Sequence, residues 1–412
     1  MPTLTSKRLH PAVATVALLL ALNLLNYIDR YILAGEVQPI QHEFHVTDQQ
    51  MGALGTAFFV FYMLAAPLTG WLGDRFRRKP LIIAGATLWS LATLAAIWIH
   101  SYTTLYFRQA LVGIGEATFG IFAPAVIADF YAERERNRVL SIFYVAIPVG
   151  AALGYLAGGQ IGSHWGWRTP FFVCALPGFL VAALYAWIGR EPQRGASDRI
   201  RHSLNRNTVK GIFTNPAFLT ATLGLAALTF AMGGISWWMP EFLRRSAGMS
   251  LGTASLTVGA STVVDGILGT LVGGWIAQVW LKRNHRALYL LSAWSVALTL
   301  PCGMMLFFGP RAWAVPSLFF AEFFLFLNTG PLNTAIVNAV ASPVRATAIS
   351  VNLFCIHFFG DTFSPQIIGA ISDRSNLRIG LGATLVSLLI SCWILWYGAR
   401  FAPLLEDAQL QQ

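Results

Sequence analysis

Twelve apolar runs, each long enough to cross a bilayer as a helix, constrain this chain more than any other feature. They cover residues 12–34, 49–72, 81–99, 104–131, 139–163, 170–189, 216–239, 252–279, 287–308, 314–340, 346–370 and 379–399. About 20 apolar residues span roughly 30 Å of hydrocarbon. The runs are continuous rather than alternating, which selects helices over barrel strands, since a helix satisfies its backbone hydrogen bonds internally. Only 11% of the residues are charged and 56% are hydrophobic, whereas soluble domains carry about 25% charged residues. The expected class is an all-α polytopic membrane protein.

The net charge of +10 invites a nucleic-acid reading, but the placement of the charges argues against it. Twenty of the 28 basic residues fall on one set of alternating loops, among them Lys7, Arg8, Arg75, Arg77, Arg78, Lys79, Arg134, Arg136 and Arg138. Six fall on the other set, Arg168, Arg244, Arg245, Arg311, Arg374 and Arg378, and Arg30 and Arg108 lie inside spans. By the positive-inside rule this puts both termini in the cytoplasm. The basic excess is therefore topological, and no nucleic-acid partner is expected. Residues 12–22 resemble a signal-peptide core, but no small-x-small cleavage site follows before Asn26, so an uncleaved first helix is expected.

The only long polar stretch, 190–215, is basic and separates six spans from six. The expected domains are 1–189, a cytoplasmic linker 190–215, and 216–412. "APLTGWLGDRFRR" at 66–78 and "TLVGGWIAQVWLKR" at 270–283 each place Gly-Trp and then basic residues after the second span of a half. Such spacing suggests a duplicated unit and two pseudo-symmetric six-helix bundles.

Several chemistries are excluded or weakened. The four cysteines lie singly in apolar runs without C-x-x-C spacing. "HEFH" at 42–45 has its histidines three apart, not the four of the zinc motif, and no lysine follows a glycine as a phosphate-binding loop requires. No cofactor or metal is expected. An intramembrane enzyme lacks a nucleophile motif, and a channel lacks a filter-like re-entrant segment between spans.

Besides Asp129 near the end of the fourth span, seven charged residues sit inside spans: Asp29, Arg30, Arg108, Glu116, Asp265, Glu322 and Asp361. Intramembrane charges are functional candidates by default, because burying them in hydrocarbon is costly. Asp29 and Arg30 are adjacent, hence about 100° apart on a helix, so they cannot face the same way. One is expected to face a cavity and the other a neighbouring helix; a structural ion pair is the plainer alternative. Glu116 follows Gln109 by seven residues and shares its face, while Arg108 lies about 80° away. Burial and a nearby guanidinium act oppositely on a carboxyl group, so Asp29 and Glu116 could titrate as a coupled pair near physiological pH.

In the second half, Trp237, Trp238, Asn333, His357 and Asp361 are polar or amphipathic groups at membrane depth. The two tryptophans could line a cavity or form an interfacial belt. His357 and Asp361, four apart, share a helix face. Gly150, Gly154 and Gly158 form a small-residue stripe suited to close helix packing.

"GWLGDRFRRK" at 70–79 resembles the loop between helices 2 and 3 of the major facilitator superfamily. "LNYIDRYILAGEV", "RQALVGIGEATFGIFAPAVIADFY", "RNRVLSIFYVAIPVGAALGYLAGG", "GWRTPFFVCALPG", "LNTGPLNTAIVNAV" and "HFFGDTFSPQIIGAISDR" extend a likeness to the Spinster branch over nearly the whole chain. The resemblance implies a twelve-helix, two-domain carrier with alternating access, moving lysophospholipids or sphingosine phosphate, proton-linked in bacterial relatives. It also implies an arginine where this chain has Gln109, so Arg108 is displaced by one position. Asp29 and Glu116 would serve proton coupling, and Tyr27, Arg30, Arg108 and Gln109 would serve the substrate or its charge balance. Gly70, Gly73, Asp74, Arg75, Arg78, Asp129, Glu133 and Arg136 would form a cytoplasmic gate, with Arg75 and Arg78 pairing with Asp129, Glu133 or Glu135. The expectation is a monomeric carrier in a bacterial inner membrane with a lysolipid or other amphiphilic substrate; the alternative is a carrier of a small organic anion or drug.

Overall fold

The computed structural model describes residues 6–131, 133–193, 211–340 and 344–403, with their side chains except at 6–10, 74, 133, 134, 136, 137, 345 and 346. Among these the regular structure is helical throughout. Eleven stretches are single helices long and apolar enough to cross a membrane: Pro11–Gly35, Asp48–Gly73, Arg78–Trp98, Tyr102–Phe130, Arg138–Trp165, Arg168–Ile188, Pro216–Ala247, Leu251–Leu281, Ala287–Phe308, Arg311–Asn338 and Leu377–Phe401. They are spans one to ten and span twelve.

The eleventh expected span is helical but interrupted. Arg345–Ile356 runs into a wide π turn, His357–Asp361, and helix resumes at Ser364–Arg374 with Pro365 in its first turn. Proline lacks a backbone donor and is best accommodated in the first turn of a helix, which suits Pro365 to the point where the helix resumes. A short helix, Val37–Phe44, follows the first span; it is too short for the apolar-run criterion and was not expected.

The described residues form two compact units. One gathers the chain up to Val46, the chain from Ala57 through the sixth span, and Leu251–Gly259. The other takes Thr47–Thr56, the seventh span as far as Ser250, and everything from Ala260 onward. Each unit thus holds a helix end contributed by the other half of the sequence.

In the first unit the glycine stripe seats the fifth span on the first. A methyl group at Gly154 would meet the Ile28 carbonyl and Tyr31, and one at Gly158 would meet the Ile32 carbonyl and Gly35. Spans three and four approach in the same way, Gly85 against Gly115. Close backbone approach through small residues is how membrane helices associate where lipid offers no hydrophobic drive. Trp89, Phe119, Phe122, Phe143 and Tyr185 fill the space between these helices.

Candidate functional site

In the first unit, Asp29 and Arg30 point to different partners, as their angular separation requires. Arg30 Nε and Nη2 donate to Glu116 Oε2 of the fourth span at 3.2 and 2.7 Å. The guanidinium lies 4.8 Å from the Tyr27 ring and 4.7 Å from the Phe58 ring, with Phe59 and Tyr62 each at 5.9 Å. A cation among aromatic faces is stabilised by their quadrupoles and shielded from lipid.

Asp29 is buried and turns toward the third span, where its Oδ2 accepts from Thr93 Oγ1 at 3.3 Å. Its other oxygen has no hydrogen-bond partner. Arg108 is buried as well: Nε donates to the Ala92 carbonyl at 2.9 Å and Nη1 to Gln109 Oε1, with the Phe171 ring 4.7 Å from the guanidinium. Arg108 acts on both Asp29 and Glu116 through its field rather than through a hydrogen bond. Gln109, at the position where the resemblance implies an arginine, thus binds the displaced one. Two arginines and two carboxylates are held in one buried group, with Arg30–Glu116 as its direct ion pair.

The loop after the second span sorts its charges differently from the expectation in part. Arg78 Nη1 meets Asp129 Oδ2 at 2.7 Å. Arg75 instead lies over the Trp71 ring at 4.0 Å. Gly73 packs against the Phe122 ring, while a Cβ at Gly70 would meet nothing within 4 Å among the described residues. The side chains of Asp74, Glu133 and Arg136 lie outside the described residues. A participant the sequence did not disclose is Glu191, just past the sixth span. Its Oε1 accepts from the Arg78 backbone N–H at 2.6 Å, its Oε2 from that of Lys79 at 3.3 Å, and Arg77 Nε lies 3.5 Å from Oε2. A carboxylate at the start of the third span suits the positive end of that helix. No sequence signal marks it, since the same basic stretch also holds Asp198.

In the second unit, both tryptophans are buried rather than belted. Trp238 donates to the Pro365 carbonyl at 2.9 Å, and Trp237 packs on Gly55. His357 Nδ1 lies 3.0 Å from Asp361 Oδ1 across the π turn, with Gly233 against the Asp361 side chain. Asn333 is exposed and bonds its own helix, at the Thr329 carbonyl. Sequence reasoning also missed a clasp on Asp48. Arg245 reaches Asp48 with Nη1 and Nη2 at 2.7 and 2.8 Å, Ser372 Oγ donates to it at 2.5 Å, and Glu241 ties Arg244 and Arg245 together. Asp373 in turn accepts from the Asp48 and Gln49 backbone N–H groups at 2.8 and 2.9 Å.

Ionisable side chains gathered inside apolar spans mark substrate or ion pathways in membrane proteins. The sequence model of the Major Facilitator Superfamily matches residues 19–365. Protein spinster homolog 1 of Xenopus tropicalis is 34% identical over 397 residues, covering 90% of this chain and 75% of that protein. The human homologue is 35% identical over 385 residues, covering 87% and 72%. Sphingosine-1-phosphate transporter SPNS2 of Danio rerio is 33% identical over 375 residues, covering 85% and 74%. Among solved structures, a bacterial homologue of the human lysosomal transporter Spinster superposes with a TM-score of 0.85 at 24% identity, over 98% of this chain and 99% of that one. A D-xylose-proton symporter superposes with a TM-score of 0.76 at 17% identity over 95% and 98%. The chain belongs to the Spinster branch of the major facilitator superfamily, and so is a multi-pass membrane transporter with that twelve-helix fold, not an enzyme.

Proposed function

We propose that this transporter is a proton-coupled carrier of an amphiphilic lipid anion, a lysophospholipid or a sphingosine-phosphate-like molecule. It works as a monomer in a bacterial inner membrane with both termini in the cytoplasm. The observation that carries the reading is the Arg30–Glu116 ion pair, ringed by Tyr27, Phe58, Phe59 and Tyr62 and set beside Asp29 and Arg108. With both carboxylates ionised the group is neutral. One added proton leaves it positive and frees a guanidinium for a phosphate or carboxylate, which Arg recognises in a fixed fork geometry. At an effective dielectric near 20, a charge about 4 Å away is worth roughly 4 kcal/mol before screening, enough to switch binding of an anion.

The Danio rerio relative, named for sphingosine-1-phosphate, supports the lipid class, and the charge asymmetry of the loops supports the topology. The Arg78–Asp129 ion pair, with the Glu191 carboxylate on the Arg78 backbone N–H, supports the reading of the loop after the second span as a cytoplasmic gate. His357, Asp361 and Trp237 are the second-half candidates for contact with substrate. A small organic anion is the competing substrate class, since a guanidinium binds either. Uptake into proteoliposomes under an imposed pH gradient tests both points. Saturable, gradient-driven accumulation of a labelled lysophospholipid is expected; accumulation of small anions alone would replace the lipid reading, and flux indifferent to the gradient would remove the proton.

A further inference from the structure

One buried carboxylate just past the first span has no role in the arrangement above. Glu36 is the first residue beyond the first span, where the helix tightens through Leu33–Gly35 and turns into Val37–Phe44. Its exposure is 0%, and neither side-chain oxygen has a hydrogen-bond partner. The side chain lies against Gly162, where any Cβ would overlap the carboxyl group. Gly162 closes a π turn, Ala157–Gly162, in the fifth span. On the same turn, Gly35 packs on Gly158 and Gly159, approaching so closely that a Cβ at position 35 would crowd their backbone. Ser255 packs on Gly159 from another side and is itself buried with its hydroxyl oxygen unpartnered.

Of the charged and titratable groups on the surrounding elements, His42 and His45 are exposed beyond the turn, and the others are engaged elsewhere. Arg30 is on Glu116, Tyr31 and Tyr155 meet each other edge to face, His164 Nδ1 lies against the Gln160 carbonyl, and Arg168 is on Glu43. Burial alone therefore acts on the Glu36 carboxyl and pushes it up to about 9. An ionised carboxylate sealed among glycine backbone with no cation or donor is strongly disfavoured against its protonated form. To ionise, the side chain must reach water, and the π turn of the fifth span lies directly against it.

We propose that Glu36 is a further proton-carrying carboxyl group of this transporter, apart from Asp29 and Glu116, which seats the end of the first span on the fifth when protonated and releases it when ionised. The first span also carries Asp29 and Arg30, so loss of the Glu36 proton would loosen the helix that holds them. The sign follows from linkage. A carboxyl that holds its proton more tightly folded than unfolded contributes stability that is fully present below the ordinary glutamate range and declines up to about pH 9.

Two measurements on the purified, substrate-free protein test this. The melting midpoint of the wild type is expected to fall by several degrees from pH 6 to pH 9, while Glu36→Gln and the apolar Glu36→Val hold a nearly constant midpoint. A cysteine at buried Leu33, scaled to an exposed reference cysteine, is expected to become reactive across that range in the wild-type background but not with Glu36→Gln. A wild-type midpoint that stays flat or rises above pH 6 overturns the proposal, even should both variants fail to fold. An equal decline in the variants overturns it too. Neither measurement requires transport, so failure here leaves the Arg30–Glu116 reading untouched.

Discussion

Arg30 and Glu116, 86 residues apart, form the direct ion pair of the buried charge group, at 2.7 Å. Glu116→Gln removes the negative partner while keeping the shape, so it imitates the protonated state. Substrate binding should persist, its dependence on pH between 5 and 8 should flatten, and gradient-driven accumulation should be lost while exchange survives. Arg30→Ala should weaken binding at every pH by roughly ten- to a hundredfold, the worth of a charged hydrogen bond. Ligand affinity across that pH range, measured beside uptake, decides the matter. If the wild-type pH dependence survives in both Glu116→Gln and Asp29→Asn, these residues form only a structural network.

Asp48 and Arg245 make a bidentate contact within the second unit, reinforced by Ser372. Arg245→Ala takes the bidentate partner from buried Asp48, which keeps Ser372, and one of two arginines from buried Glu241, which keeps Arg244. The variant should lose about 1–3 kcal/mol of stability, the cost of an unsatisfied buried group. Asp48→Asn combined with Arg245→Ala should cost less than the two singles added together, because the pair is in direct contact. Additivity in a double-mutant cycle would show the contact to be energetically silent.

Arg168 hydrogen bonds hold the Glu43 carboxyl down at about 2, helped by the indole N–H of Trp167. A depressed carboxyl contributes stability above its ordinary range and loses it as pH falls from about 4.5 toward 2. Glu43 is 38% exposed, so solvent screening makes the effect small. Wild type should lose a few degrees of melting midpoint relative to Glu43→Gln between pH 5 and pH 3, and added salt should narrow the gap. Identical acid curves would show that the pair is fully screened.

Two glycines should separate packing from motion. Gly154 touches the Ile28 carbonyl and Tyr31, so Gly154→Val should sharply reduce the yield of folded protein. A methyl group at Gly70 would have nothing within 4 Å, so Gly70→Ala should leave the melting midpoint unchanged. If transport slows in Gly70→Ala while stability holds, the loop acts in the conformational cycle; unchanged transport would make Gly70 dispensable.

The sequence by itself determined the class and the helical plan, because bilayer thickness and backbone hydrogen bonding leave few solutions for runs of this length. It also singled out Asp29, Arg30 and Glu116, since a charge in an apolar run is conspicuous. Even the direction of Gly150, Gly154 and Gly158 was legible, as spacing by four repeats one face of a helix. Which groups meet was not. That Arg30 takes Glu116 while Arg108 turns to Gln109 and Ala92 depends on how the first, third and fourth spans approach. Glu191, Asp48 and Arg245 lie at helix ends, where charge is ordinary and carries no sequence signal. Glu36 looks like any loop acid until Gly162 is seen against it. Arg30 finds Glu116 across 86 residues of chain and Asp48 finds Arg245 across 197, and only the packing of the helices sets those distances.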